Sequence, residues 1–377
     1  MKQSRKKVRR AAAPRRQAAP SPLSSSPLLK SDSVDLSRLL TLVAAFRKQT
    51  ICVVGDFVLD EFVTGDISRV SREAPILILR HRKTENYPGG AANAINNLAD
   101  LGAKVLAVGV VGADHGGRAL LDEFRRKKVN VSGVVRSADW VTTTKTRYLA
   151  GWTHTTEQQV LRVDREPHSA LDAATQSRIR RNAQHAAKKA GAVLVSDYGL
   201  GAATPELVRS LKSKLITLDS RYRLLEYRGT GVTAATPNEP EVEAAHHAAI
   251  GTDTASLESL GRKTLQHLGL EALVITRGKD GLAVFERSGV GVSGSKVAQA
   301  RVHHVGIYGS DAPADVSGAG DTVIAVFTLA LAAGATYLEA AHLANYAGGI
   351  VVMKRRTATV TRAELEAALR AEATSSR

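Results

Sequence analysis

The chain has 377 residues, 44% of them hydrophobic, a single cysteine and a formal charge of +16. Cys52 alone excludes an intramolecular disulfide and suits a reducing cytoplasm, and no stretch of about 18 apolar residues is present to cross a membrane. The charge would argue for a polyanion partner if it were spread over the fold, but nine cations and no acid lie in residues 1–31, which leaves 43 basic against 36 acidic residues in the rest.

In chain order, "MKQSRKKVRRAAAPRRQAAPSPLSSSPLLK" is rich in Ala, Pro, Ser and Arg and cannot bury enough apolar surface to offset its ordering entropy. Residues 1–34 are therefore expected to be a disordered basic tail. It lacks the apolar core of a secretory signal, and reads either as a solvated extension or as an attachment to nucleic acid or an anionic surface. One domain is expected over 35–377. It opens with a helix, "DLSRLLTLVAAFRK", and a buried strand, "TICVVGD". Further buried strands are predicted in "KVLAVGVVG", "GAVLVSDYG", "KLITLDS" and "EALVITRG". Helices are predicted in "GAANAINNLADLG", "GGRALLDEFRRKK", "ATQSRIRRNAQHAAKKA", "TPELVRSLKS" and "LESLGRKTLQHLG". Such alternation predicts an α/β three-layer sandwich with a mostly parallel central sheet. Residues 62–87 and 142–164 instead alternate without helix, which predicts a small β-sheet lid beside the strands' carboxyl ends. Its exposed apolar face and open edges predict a homodimer.

The chemistry gathers at strand ends. In "DVSGAGDTVIAVF" the small residues before Asp321 let main-chain amides converge, and the following helix adds the positive end of its dipole, so the turn prefers an anion. Asp321 there is either a reacting carboxylate or a helix cap worth about 1 kcal/mol. A position near a helix N-terminus predicts a lowered pKa. Four companions follow other strands: Asp56 and Asp60 in "VVGDFVLDEF", Gly89, Gly90 and Asn93 in "YPGGAANAINNLADLG", Asn238 and Glu241 in "TPNEPEVE", and Thr276, Gly278 and Gly281 in "TRGKDG". Taken singly, these are solvated acids, ordinary caps and a hairpin turn.

Together, "PGGAANAINNLADLG", "TPNEPE", "TRGKDG" and "DVSGAGDTVIAVF" resemble the ribokinase-type (PfkB) carbohydrate kinases, over roughly residues 50–369. Within that family "VVGDFVLDEFVTGDISRVSREAPILIL", "TKTRYLAG" and "VLVSDYGLG" are most similar to the kinases of D-glycero-β-D-manno-heptose 7-phosphate, which act on O1 to feed ADP-heptose synthesis. The resemblance implies a ribokinase-like fold, ATP with Mg²⁺, and Asp321 as general base, with Gly318, Ala319 and Gly320 as the anion hole. Asp60, Gly89, Gly90 and Asn93 would hold sugar hydroxyls. Asn238, Glu239, Pro240 and Glu241 would organise the ATP phosphates, with Glu241 acting on Mg²⁺ indirectly. Thr276 and Gly278 would line the nucleotide groove and Asn345 border the adenine. Asp315 reads as a ligand for a monovalent cation or as a plain turn acid. A phosphorylated substrate needs cations, for which Arg69 and Lys145 or Arg147 are the candidates, against the alternative that each is a solvated surface charge.

Leu200, Ser220-Arg221 and Arg356 depart from the pattern of heptose kinases, which bears on the sugar more than on the chemistry. Another sugar, sugar phosphate or nucleoside as acceptor is the alternative, and an inactive kinase fold with a nucleic-acid-binding tail a third reading. No adenylyltransferase unit, such as some heptose kinases carry, is expected beyond "TRAELEAALR". "GVGVSG" at 289–294, with Asp311 beyond it, fits a dinucleotide fingerprint but lacks the helix that should follow. His246-His247 and His303-His304 lack metal-ligand spacing and are expected at the surface.

Overall fold

The computed structural model describes residues 34–152, 157–288, 300–309 and 313–375. Nearly all of the basic tail, the "GVGVSG" segment and Asp311 lie outside the described residues.

Helix α1 (Leu36–Ala45) leads into β1 (Thr50–Gly55), and after Asp56 alone the chain enters β2 (Phe57–Val70), which pairs with β3 (Leu77–Gly90). Helix α2 (Ala91–Asp100), β4 (Lys104–Gly112), α3 (His115–Arg126) and β5 (Asn130–Ser137) follow, then β6 (Thr143–Gly151) and β7 (Gln158–Arg165). The second half runs α4 (Ala173–Ala187), β8 (Ala192–Asp197), α5 (Pro205–Arg209), β9 (Ile216–Ser220), the two-residue β10 (Ala234–Ala235), α6 (Glu239–His246) and α7 (Thr254–Leu268). It closes with β11 (Ala272–Thr276), β12 (Leu282–Arg287), β13 (Ala300–Val305), α8 (Ala319–Ala332), α9 (Tyr337–Val352) and α10 (Arg362–Ser375).

The main sheet has the order β13-β12-β11-β10-β9-β8-β1-β4-β5, parallel except where β12 and β13 fold back antiparallel. Its inner strands are buried on both sides, and their alternation divides the core in two. Ile51 and Val53 of β1, Leu194 of β8 and Val274 of β11 face a cluster with α1, α2, α3, α8, α9 and α10. Cys52, Val54, Val195 and Ile275 face α4, α5, α6 and α7. Each buried Val, Ile or Leu contributes about 1.5–3 kcal/mol. The expected sandwich of three layers is therefore observed. Because β1 lies between β8 and β4, the strand order reverses at β1, and a crevice opens outside the carboxyl ends there.

A smaller sheet, β3-β2-β6-β7, stands at that end, with β2 and β6 parallel and the outer pairs antiparallel. Its first strand begins at Phe57 rather than near 62, directly beyond β1. All eight residues of the edge strand β7 are exposed, including Val160, Leu161 and Val163 at about half of their surface. One helix is shorter than expected: "TPELVRSLKS" is helical only to Arg209, because Ser210 Oγ donates to Leu207 O (2.6 Å) and closes the last turn. Among the described residues no helix is long and apolar enough to cross a membrane.

Candidate active site

Helix α8 starts beside the crevice. Gly318 is its N-cap with a left-handed φ of 77°, so Asp321 is not the cap but the third residue of the helix. Its carboxylate turns inward, 3% exposed, and accepts from Asn93 Nδ2 (3.0 Å) and from the Tyr198 hydroxyl (2.8 Å). Three elements thus meet at one acid: α8, the first turn of α2 and the loop after β8. Asn93 also donates to Gly318 O (3.1 Å), so both of its amide hydrogens serve the turn and the acid. Its own Oδ1 accepts from Asn97 Nδ2 (3.2 Å).

Burial pushes the Asp321 carboxyl up to about 7, although the hydrogen bonds from Asn93 and Tyr198 work against that rise. This corrects the lowering expected from the helix N-terminus: removal of water from an enclosed carboxylate outweighs the first-turn dipole. The anion turn is also narrower than expected. The Ala319 amide donates to Val316 O (3.3 Å) within the turn, whereas the first-turn amides of Gly320 and Asp321 have no acceptor inside the helix. A Cβ on Gly320 would meet nothing within 4 Å, so this stretch of backbone borders open space.

That space is a cavity of about 270 Å³, lined by Thr276, Gly278, Ala319, Gly320 and Asn345 among others. Five residues expected to contact a nucleotide or its phosphates therefore share one groove. Asn345 donates to Gly306 O (2.7 Å), which fixes its amide and leaves its oxygen as an acceptor. Asn238 forms a bridge beside Thr276 and caps α6 reciprocally with Glu241: Asn238 Oδ1 accepts from Glu241 N (2.8 Å) and Glu241 Oε2 from Asn238 N (2.9 Å). Pro240 sits in the first turn of that helix, and Glu239 pairs with Arg277 (2.8 Å). The capped helix start is real, and it holds Glu241 where its charge acts on a second acid. That acid, half-buried Asp219 at the end of β9, is raised well above the usual carboxylate range by burial, then by the charges of Glu241 and Asp321. Glu241 is raised by burial as well. Two half-buried carboxylates whose charges act on one another suit a hydrated divalent cation held through water, although among the described residues no cluster of three or more such ligands is present.

On the other side of Asp321, Asp60 is 7% exposed and pairs with Arg147 (2.5 Å), while Thr357 Oγ1 donates to its second oxygen (3.2 Å). Gly89 is required beneath it, since a Cβ there would come within 2.6 Å of Asp60 Oδ2. Gly90, φ 57°, turns β3 into α2. Arg147 is thus a partner of Asp60 rather than a free clamp. Arg69 is exposed nine residues farther along β2 than Asp60, roughly 30 Å of strand, so the structure does not bring it to the site of its own chain. Lys145 does reach it. Together with Thr143, Glu166, Tyr198, Arg221 and Tyr222 it lines a second cavity of about 250 Å³. The Thr143 hydroxyl there is buried without a protein partner.

Sequence reasoning gave no role to Tyr198, Asp219 or Arg221. A signal existed: like Asp56 after β1, Asp197 and Asp219 lie at the carboxyl ends of the neighbouring parallel strands β8 and β9, in "SDYG" and "LDSR". Asp315 accepts from Ser317 N (2.9 Å) and Arg356 N (3.0 Å), in keeping with a turn acid. Arg356, φ 68°, occupies a left-handed position that favours glycine, and its guanidinium pairs with Glu85 and Glu157 of the smaller sheet's side. Contrary to expectation, His246, His303 and His304 are half-buried, and His246 and His304 bond to Thr264 and Glu258.

The profile of the "pfkB family carbohydrate kinase" matches residues 48–364. The "Bifunctional protein HldE" of Desulfatibacillum aliphaticivorans is 40% identical over 334 residues, 87% of this chain and 64% of that protein. Its namesake from Geobacter metallireducens is 38% identical over 332 residues, 86% and 64% respectively. The chain thus spans a little under two thirds of the length of these relatives. The solved Arabidopsis thaliana ribokinase, complexed with ribose and ATP, superposes with a TM-score of 0.64 at 17% identity over 85% of this chain and 98% of that one. The fold is ribokinase-like, and the chain belongs to the pfkB family of carbohydrate kinases, phosphotransferases with a sugar hydroxyl as acceptor.

Proposed function

We propose that this protein transfers the γ-phosphoryl group of ATP to O1 of D-glycero-β-D-manno-heptose 7-phosphate. The observation that carries the reading is the position of Asp321. It follows directly on two residues of the nucleotide groove and is hydrogen-bonded to Tyr198, a wall of the second, cationic cavity. Support for the sugar comes from the similarity of the lid-strand and "SDYG" segments to heptose kinases, and from Lys145 and Arg221 as cations for a distal phosphate.

In this reading Asp60, Gly89 and Gly90 form the bed for the sugar, and Asn93 acts through Asp321 instead of holding a hydroxyl. As O1 attacks the γ-phosphorus its proton passes to Asp321, the bond to the β-phosphate oxygen breaks, and ADP leaves with that electron pair. The amides of Gly320 and Asp321 face the negative charge that spreads over the transferring group. Mg²⁺ bound with ATP neutralises phosphate charge, and Asp219 and Glu241 would hold it through water. A base that ionises near 7 is well matched to neutral pH.

The smaller sheet would act as a lid, and its exposed Val160, Leu161 and Val163 support a homodimer through it. A cytoplasmic setting accords with a nucleotide-dependent reaction. Sedimentation at micromolar concentration is expected to give a dimer, and a monomer contradicts that part.

ADP release measured across phosphorylated and free sugars tests the function, with the heptose 7-phosphate expected to give the highest kcat/KM. A higher value for another sugar or a nucleoside would favour the second reading, which Leu200 and Arg221 motivate. Lys145→Glu is expected to raise KM for the sugar phosphate about 10- to 100-fold, the worth of one charge-assisted contact, and to leave KM for ATP within about twofold. An unchanged KM for the sugar phosphate would remove Lys145 from the clamp.

A further inference from the structure

Two buried carboxylates outside the transfer chemistry shape the loop after β8. Asp56, 2% exposed, is one of the strand-end acids that could also have been a solvated loop acid; it accepts from the amides of Tyr198 (2.9 Å), Leu200 (3.0 Å) and Ala202 (2.8 Å). Asp197, 1% exposed, accepts from Gly199 N (2.9 Å), Ser220 Oγ (3.1 Å), Tyr227 OH (2.9 Å) and both Nε and Nη2 of Arg223 (3.2 and 2.6 Å). Burial and then the Asp197 charge push Asp56 up to about 6 in spite of its three amides. Enclosing two carboxylates is costly unless each is fully bonded. Here both are, and what they fix is the backbone that begins with Tyr198.

We propose that Tyr198 is a positioning residue for Asp321: its hydroxyl, delivered by the Asp56 and Asp197 network, donates to Oδ1 while Asn93 donates to Oδ2, holding the carboxyl plane toward the acceptor hydroxyl. The inference rests on Asp321 being the base. An ionised carboxylate has about four acceptor sites, so two protein donors leave room for the alcohol. The phenol stays a donor, because burial and then the Asp321 charge raise its own pKa. The two hydrogen bonds favour the ionised acid and so hold its pKa down against burial. The other charged groups that act on it are Asp60 of β2, which raises its pKa and is itself paired to Arg147, Lys145 of β6, which lowers it, and Asp219 of β9.

Tyr198→Phe keeps the ring and removes only the donor. The acid limb of kcat against pH is expected to move up by about one unit. Turnover at pH 6 then falls about tenfold further than turnover at pH 9, where the lost alignment alone lowers it, and KM for ATP is unchanged. Titration of the Asp321 carboxyl carbon by NMR, without substrate, should show the same upward shift. An acid limb and a carboxyl titration that do not move would overturn the proposal. If Asp321→Asn itself retained wild-type turnover, the assignment of the base would fail instead, whatever Tyr198→Phe did to the carboxyl titration.

Discussion

Asp321→Asn is expected to lower kcat by about 10²- to 10⁴-fold with ATP affinity within about twofold, because it removes the proton acceptor and leaves the groove untouched. The same substitution should stabilise the fold at alkaline pH. The folded-state carboxyl ionises at about 7 against an ordinary 3.8, so folding favours its proton. The stability this group contributes is fully present below about pH 4, is lost as pH rises through 7, and is absent above. The variant carries no charge to bury. At pH 8 it should therefore exceed the parent by on the order of 2–4 kcal/mol, and the difference should shrink toward pH 4. Chemical denaturation at both pH values checks the sign. Equal stability throughout would show that the acid is not shut off from water, and wild-type turnover would show that it is not the base.

Gly318→Ala is expected to cost about 10²-fold in kcat and about 1–2 kcal/mol in stability. The stability loss comes from the left-handed backbone, φ 77°. The loss of rate comes from crowding: a Cβ would run into Asn93 Nδ2 and lie 3.0 Å from Thr357 Cγ2, which displaces the amide that holds Asp321. An error of about 1 Å at such a point is enough for a hundredfold effect. Gly320→Ala is the control for stability, because its Cβ would meet nothing. It should unfold like the parent. A Gly318→Ala enzyme of full activity would mean that the turn and the acid are independent.

The central sheet was legible because its strands are apolar on both faces: β4 spans "KVLAVGVVG" end to end, and "TICVVGD" stops one residue short at Gly55. The smaller sheet was legible from alternation, though not its start, since nothing local marks the passage from β1 into β2. At the site, residue types marked the turns around Thr276, Gly278 and Gly320, and the family resemblance assigned these with Ala319 and Asn345 to the nucleotide; all five do line one groove. Local sequence could not give the partners of Asp321, which lie 228 and 123 residues away along the chain. Nor could it give the sign of the acid's pKa, which depends on how much water those partners exclude. Arg147 shows the same limit. Alternation puts Lys145 and Arg147 on one face, but only the register, with Lys145 opposite Asp60 and Arg147 opposite Phe62, leaves the first for the cavity and lets the second reach diagonally to Asp60.

The passage from β1 into β2 through Asp56 alone has a mechanical meaning. A strand that leaves one sheet and enters the next with a single residue between them leaves little slack, and β3 runs from the same sheet straight into α2, so the outer sheet is tied to the core at two adjoining points. Asp56, the residue in that junction, also gathers three amides, the first of them belonging to Tyr198, so the tie between the sheets and the seat of the phenol share one carboxylate.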